Sequence, residues 1–315
     1  MLSFKPSCWS EHEELEVVLL CSPSCLDIPD LKTAEYVQWN GPVNQSRAHE
    51  NFAELKDALE EAGTKVIDYS EELTEKENEL SKQLINRFFV RDLACVFGDI
   101  IIPGEASASM RRPEYVQSHL LFKKWFPEQF LINENNDLKA LEFGDVLVLN
   151  RDAVFINVGM RTSVSSVEKI KDRLFHSGFS EIGIIDLPHR SDTFHIDMNC
   201  NVANKDLVIS KSFLRYFPVN VLTEKDSRYE MPEQFLNRHG FEVYWIKEYK
   251  SIPDLNFLNI NPETLLISKQ AHKQMIKNHP KLKNKKIIEV EVTELEKSGG
   301  GIRCMTLPLR RKPVN

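Results

Sequence analysis

Three aspartates and a cysteine set the frame for any fold this chain can adopt. Asp92, Asp145 and Asp197 lie 53 and 52 residues apart, and Cys304 follows Asp197 by 107, close to twice that interval. Paired apolar runs follow the aspartates: 94–97 and 100–103, then 146–149 and 153–158, then 200–202 and 207–209. A single run, 305–309, follows the cysteine, and a looser pair, 257–260 and 265–267, fills the long gap. A period near 50 residues that mixes strand and helix signals argues for repeated modules rather than one doubly wound sheet. Periodicity alone leaves an ordinary α/β chain open as well.

The segments between the runs carry helix signals. Residues 47–61 place Phe52, Leu55 and Leu59 on one stripe, with Gly63 just past the end. Pro113 opens a helix expected to reach Trp125, and Ser163 caps one bearing Val167, Ile170 and Leu174 that ends near Gly178. Residues 64–69 and 182–187 read as strands, and Gly98-Asp99 and Asn204-Lys205 as turns. The stretches 141–149 and 194–202 read as extended throughout. On that reading His195 and Asp197, two residues apart, face the same way.

Composition narrows the function. The 315 residues carry 40 Lys and Arg against 47 Asp and Glu, a net charge of −7, which gives no reason to expect nucleic acid. Hydrophobic residues make up 42%, enough for a packed core, yet no run approaches the roughly 20 apolar residues that span a bilayer. The first ten residues lack the apolar segment of a signal peptide, so the expected location is cytoplasmic. The six cysteines are scattered, and a chain of this size needs no disulfide framework. There is no Gly-x-Gly-x-x-Gly, no phosphate-binding loop and no Cys-x2-Cys pair, so neither a cofactor nor a metal is expected.

What remains is a set of chemically capable side chains. Cys304 follows three consecutive glycines, 299–301, and Arg303, a setting in which backbone amides can approach a ligand and a cation can favour thiolate. An inert buried cysteine at a strand start fits the same residues. His195 with Asp197 suits acid/base work beside a cation site, and equally a satisfied pair within a sheet. Glu142 and Asp92 sit in apolar surroundings, where a carboxylate is costly unless paired. Several carboxylates gathered with one histidine and one cysteine imply a cationic ligand, and a planar guanidinium fits their geometry. Arg111 and Arg161, each following a methionine, are candidates for the anionic end of such a ligand.

Five segments together resemble the guanidino-group-modifying enzymes, closest to arginine deiminase, with arginine dihydrolase and dimethylarginine dimethylaminohydrolase as near relatives. They are Asn86-Arg87-Phe88-Phe89-Val90-Arg91-Asp92, Leu141-Glu142-Phe143-Gly144-Asp145, Gly159-Met160-Arg161-Thr162-Ser163, Phe194-His195-Ile196-Asp197 and the stretch from Gly300 to Leu309. The resemblance implies an α/β fold of five pseudo-symmetric modules, the pentein propeller, as a single catalytic domain over residues 1–315. It implies Cys304 as nucleophile, His195 as general acid/base, Asp92 and Asp197 holding the guanidinium, and Glu142 assisting. Asn86, Arg111 and Arg161 would grip the amino-acid end of the substrate. The expected substrate is a small guanidino or ureido amino acid, with no nucleic acid or membrane partner and a homodimer as a family-level expectation. Arginine would go to citrulline and ammonia. Dihydrolase, citrullinase, dimethylarginine hydrolase, amidinotransferase and non-catalytic binding readings stay open. The chain departs from the family pattern at Phe143, where glycine is common, and that ring is expected to narrow the pocket. It also has Arg303 where many members have histidine, and its short length leans toward the compact relatives. Asn40 is a candidate for the product-processing asparagine of the dihydrolases.

Overall fold

In a computed structural model that describes residues 2, 4–131, 139–249 and 251–312, the strands form five separate sheets. Each follows one plan: two short antiparallel strands, a crossover, then a strand returning in parallel. In the third module Val146–Val148 pairs antiparallel with Ala153–Val158, which runs parallel to Glu181–Asp186 after the helix Val164–His176. The fourth joins Cys200–Asn204, Leu207–Lys211 and Glu242–Ile246, and the fifth Leu258–Asn261, Thr264–Ser268 and Lys286–Val290, in the same way. In the second module, the hairpin of Ala94–Phe97 and Ile100–Pro103 is met in parallel only by a bridge from Ile101 to Phe130. The first sheet closes the ring: Leu307–Lys312, from the end of the chain, pairs with Glu14–Leu20, which runs parallel to Lys65–Asp68. The architecture is therefore the five-module α/β propeller.

The local causes are ordinary. Ala153–Val158 is buried along its whole length, as suits a strand covered on both faces. The helix before Glu181–Asp186 starts where the Ser163 side chain accepts the Ser166 amide, and it buries Val167, Ile170 and Leu174. The Gly98 turn needs positive φ, and glycine supplies +58°. Sheet three also carries two strands that the sequence reading did not mark, Val219–Leu222 and Ser227–Glu230.

Two expected strands are shorter than their apolar runs, and both shortfalls matter. Residues 143–145 form a tight 3-10 turn before Val146, and Ile196–Met198 forms another before Cys200. The reason lies in side-chain capture of backbone amides: Asp92 Oδ1 accepts the Gly144 amide at 2.9 Å, and Asp145 Oδ1 accepts that of Ile196 at 3.2 Å. Such a turn precedes the hairpins of modules two to five, at Val90–Asp92, Phe143–Asp145, Ile196–Met198 and Ile252–Asp254. Cys304 sits in a turn before the last strand. The turns are where neighbouring modules meet. Arg91 donates its amide to the Cys304 carbonyl at 3.1 Å, and Arg303 its amide to the Asn256 carbonyl at 3.2 Å.

Beneath these turns the core is ionic. Arg303, 1% exposed, donates to Asp197 Oδ2 and Glu11 Oε1, each at 2.8 Å, and to the Val146 carbonyl at 2.7 Å. Burying such charges is tolerable only because each is paired and hydrogen-bonded. The arginine directly before Cys304 thus ties together the N-terminal segment and modules three and four.

Candidate active site

The turns surround a cavity of about 140 Å³ lined by Asn86, Asp92, Arg111, Glu142, Arg161, His195 and Cys304, among other residues. Seven of the nine residues singled out in the sequence therefore share one wall. The other two do not line it.

Cys304 reaches the cavity from the closing turn. Its amide donates to Asn256 Oδ1 at 3.0 Å, and its thiol lies 3.6 Å from Asp197 Oδ2, to which it donates. Burial pushes this thiol well above its usual range, and the charges of Asp197 and Asp92 push the same way. The resting group is a protonated thiol. Gly300 is required beside it, because a Cβ there would stand 2.4 Å from the Phe89 ring and 3.1 Å from Cys304 Cβ.

His195 leads into its 3-10 turn with extended backbone. Its Nε2 lies 3.1 Å from Glu142 Oε2 and 3.9 Å from Asp92 Oδ1. Burial alone would lower its pKa, but Asp92, the hydrogen bond it donates to Glu142 and the Asp145 charge outweigh it and bring it up to about 10. Glu142 responds in the opposite sense. Burial would raise it, yet the His195 hydrogen bond with Arg111 and Arg161 holds it near 2. Its other oxygen accepts the Ser107 amide at 2.9 Å and hydroxyl at 2.7 Å. An ionised carboxylate thus faces a protonated imidazole. Gly144 permits this contact: a Cβ there would come within 2.4 Å of His195 Nδ1 and 3.0 Å of Asp92 Oδ1.

Asp92, Glu142 and His195 offer one ligand atom each within 4.8 Å of one another.

Arg111 lines the cavity but is heavily engaged, with donations to Asp92 at 2.7 Å, Glu114 at 2.9 Å and the Phe89 carbonyl at 3.0 Å. Arg161 lies over the Phe194 ring, 4.8 Å from its centroid, and donates to Ser107 Oγ at 3.1 Å. Asn86 Oδ1 accepts the Trp39 indole N–H at 3.1 Å, which fixes the segment 37–39 against the rim.

Three expectations need correction. Phe143 is not in the pocket: it is fully buried in the core of module three, edge-on to Phe97 with centroids 5.8 Å apart. The 3-10 turn aims Glu142 and Phe143 to opposite sides, so the ring fills the hydrophobic layer. His195 and Asp197 do not share a strand face, because the turn between them sends His195 to the cavity and Asp197 behind the thiol, against Arg303. Asn40 is exposed and does not line the cavity. Sequence reasoning missed Ser107, Asn256, Trp39 and Phe194. Their only signal was nearness to a marked residue, Phe194 beside His195 being the plainest case.

Comparison with known proteins agrees with this architecture. The protein-family model described as arginine deiminase matches residues 32–231. A Bacillus subtilis protein of uncharacterized function, YkgA, is 23% identical over 98% of this chain and 96% of its own. The arginine deiminase of Mycoplasma capricolum is 24% identical over 75% of this chain, which spans 64% of that enzyme's length. Among solved structures, dimethylarginine dimethylaminohydrolase from Pseudomonas aeruginosa complexed with citrulline superposes with a TM-score of 0.68 at 16% identity, over 93% of this chain and 99% of that one. Inosamine-phosphate amidinotransferase from Streptomyces griseus gives 0.68 at 14%, over 98% and 97%. Those two likenesses establish the fold, and the family match, extending over more than half of the sequence, makes the chain a member of the arginine deiminase family.

Proposed function

We propose that this chain is a cysteine-dependent hydrolase of arginine or a close guanidino or ureido derivative, acting through a covalent thiouronium and releasing citrulline and ammonia from arginine. The single observation that carries the reading is the convergence of the Cys304 thiol with Asp92, Glu142 and His195 on one cavity. A guanidinium entering there brings a positive charge to a thiol whose ionisation is opposed by burial and two carboxylates, and so favours the thiolate. The thiol proton passes to Asp197, 3.6 Å away, as sulfur attacks the guanidinium carbon. His195, protonated at neutrality, gives its proton to the departing amine, and ammonia leaves. The neutral imidazole then takes a proton from water, whose oxygen adds to the thiouronium carbon. Collapse breaks the carbon–sulfur bond as Asp197 returns its proton to sulfur. The hydroxyl proton leaves through the cavity and ends on ammonia. Arg161 over Phe194 and the polar rim at Asn86 would receive the amino-acid end.

The non-catalytic alternative drew on Phe143 and loses that support with the ring in the core. The dihydrolase reading has no asparagine at position 40 facing the cavity. We further infer that residues 1–315 act as one catalytic unit in the cytoplasm. Incubation with arginine and separation of citrulline from ornithine tests the reading, with methylated arginines, citrulline and amine acceptors run in parallel. Citrulline and ammonia in equal amounts are expected; no turnover of any guanidino or ureido compound would overturn it.

A further inference from the structure

The site's cation-facing carboxylate is held by Arg111, which is shared with a residue outside the cavity. Arg111 bridges Asp92 Oδ2 and Glu114 Oε2 at 2.7 and 2.9 Å, and all three side chains are at least nine-tenths buried. Glu114 lies in the first turn of the helix Arg112–Trp125, is 2% exposed, and does not line the cavity. We infer that Glu114 is a positioning residue: by sharing Arg111, it keeps Asp92 negative enough to take a substrate cation. The inference rests on the guanidinium reading above and extends it to a residue that never touches substrate.

The argument is one of charge. With Glu114 ionised, Asp92, Arg111 and Glu114 together carry −1, and the cavity side of Asp92 expresses it. Remove the charge of Glu114 and Arg111 is left to Asp92 alone, the pair is neutral, and the cavity loses a negative unit. Glu142 cannot replace it, because His195 hydrogen-bonds to it at 3.1 Å, nearer than its 3.9 Å from Asp92, and Arg161 lies 3.9 Å from its other oxygen. The groups facing Glu114 are Arg111, Asp92 and Glu142 on the cavity side, Tyr115 on its own helix, and Tyr69 and Cys21 from the first module, with Arg87 beyond them. Both phenols and the Cys21 thiol are pushed upward by burial and stay neutral near pH 7. Burial also brings the Glu114 carboxyl up to about 7, against the pull of Arg111. Substrate affinity should therefore weaken as the pH falls through that value.

The test is arginine binding by calorimetry to Cys304→Ser and to Cys304→Ser/Glu114→Gln, at pH 6, 7 and 8, beside turnover by the Cys304-containing proteins. A unit charge acting across one intervening side chain is worth about tenfold in affinity at protein-like dielectric. The expected result is a tenfold weaker Kd in the double variant at pH 8. The gap should close at pH 6, where Glu114 is already protonated. In the Cys304 background, Glu114→Gln should raise KM by a similar factor with kcat nearly unchanged. Equal affinities at pH 8, or a loss of thermal stability with no change in Kd, would overturn the inference. Absent turnover by the unmodified protein, with the binding difference intact, would sink the hydrolase reading and leave Glu114's role standing. Failure of Cys304→Ser to bind either arginine or guanidinium ion would sink both.

Discussion

Asp92 and Asp254 end the same kind of 3-10 turn in the second and fifth modules, yet only the first meets the cavity. Asp254 accepts backbone amides near its own module, from His272 at 2.7 Å and from Ser251 at 3.3 Å. Asp92 reaches across the ring instead, to the Gly144 amide of the next module and to the Arg111 guanidinium. Asp145 is intermediate: it accepts from Asn157 and from the amide that follows His195, and so serves the site without lining it. The repeat supplies equivalent places for a carboxylate. What each carboxylate does is decided by which donors the neighbouring turns present to it.

The comparison breaks most sharply at the residue with no acidic counterpart. Cys304→Ala removes the nucleophile and should reduce turnover by roughly four orders of magnitude or more, as loss of a covalent catalytic group does elsewhere. Near-wild-type melting must accompany that loss. Retained activity would show that the cavity is not where chemistry occurs. Asp92→Asn comes next: it takes away the charge that a guanidinium would meet, and turnover should fall about 100- to 1,000-fold, the usual cost of one electrostatic contact in a water-poor site. Asp254→Ala should do the reverse. It removes a buried carboxylate that accepts two partly exposed amides, at a cost of about 1–3 kcal/mol in denaturant unfolding, with kcat/KM within about twofold. If Asp254→Ala instead silenced the enzyme while leaving stability alone, the division between the two turns would be wrong.

That division also marks how far the sequence could be read. The 50-residue spacing was legible because each module repeats one solution, a polar turn followed by a buried hairpin. Helices with clean caps, such as the one after Ser163, were legible for the same reason. The site residues were legible as types and spacings, since a buried carboxylate, a histidine and a glycine-flanked cysteine each need justification. What was not legible was direction. Phe143 follows Glu142 directly, and only the turn, made when Asp92 captures the Gly144 amide from 52 residues away, decides which of them faces the cavity. Asp254 was missed because the run around it lacks a glycine or histidine marker, although its turn matches the others. Glu114 was unremarkable in sequence, one acidic residue in a helical first turn, and it gains meaning only through Arg111.

The smallest effect concerns proton balance. His195 has its pKa raised to about 10 by Asp92, Glu142 and Asp145 acting against burial, whereas in the unfolded chain it returns to about 6.5. Between those values the native state holds a proton that the unfolded state releases. The stabilisation is therefore fully present below about 6.5 and is lost as the pH rises toward 10. His195→Asn should lose this declining limb, so the difference in unfolding midpoint between the two proteins should shrink steadily from pH 6.5 to pH 9.5. Burial also lowers Lys211 and Lys285 to about 8 and raises several cysteines, but both proteins share those groups and the difference cancels them. A difference that stays constant across this range would mean that the imidazole is neutral in the resting site. The first proton given to the departing amine would then have to come from elsewhere, and the contrast between a charged cavity turn and a purely structural one would rest on Asp92 alone.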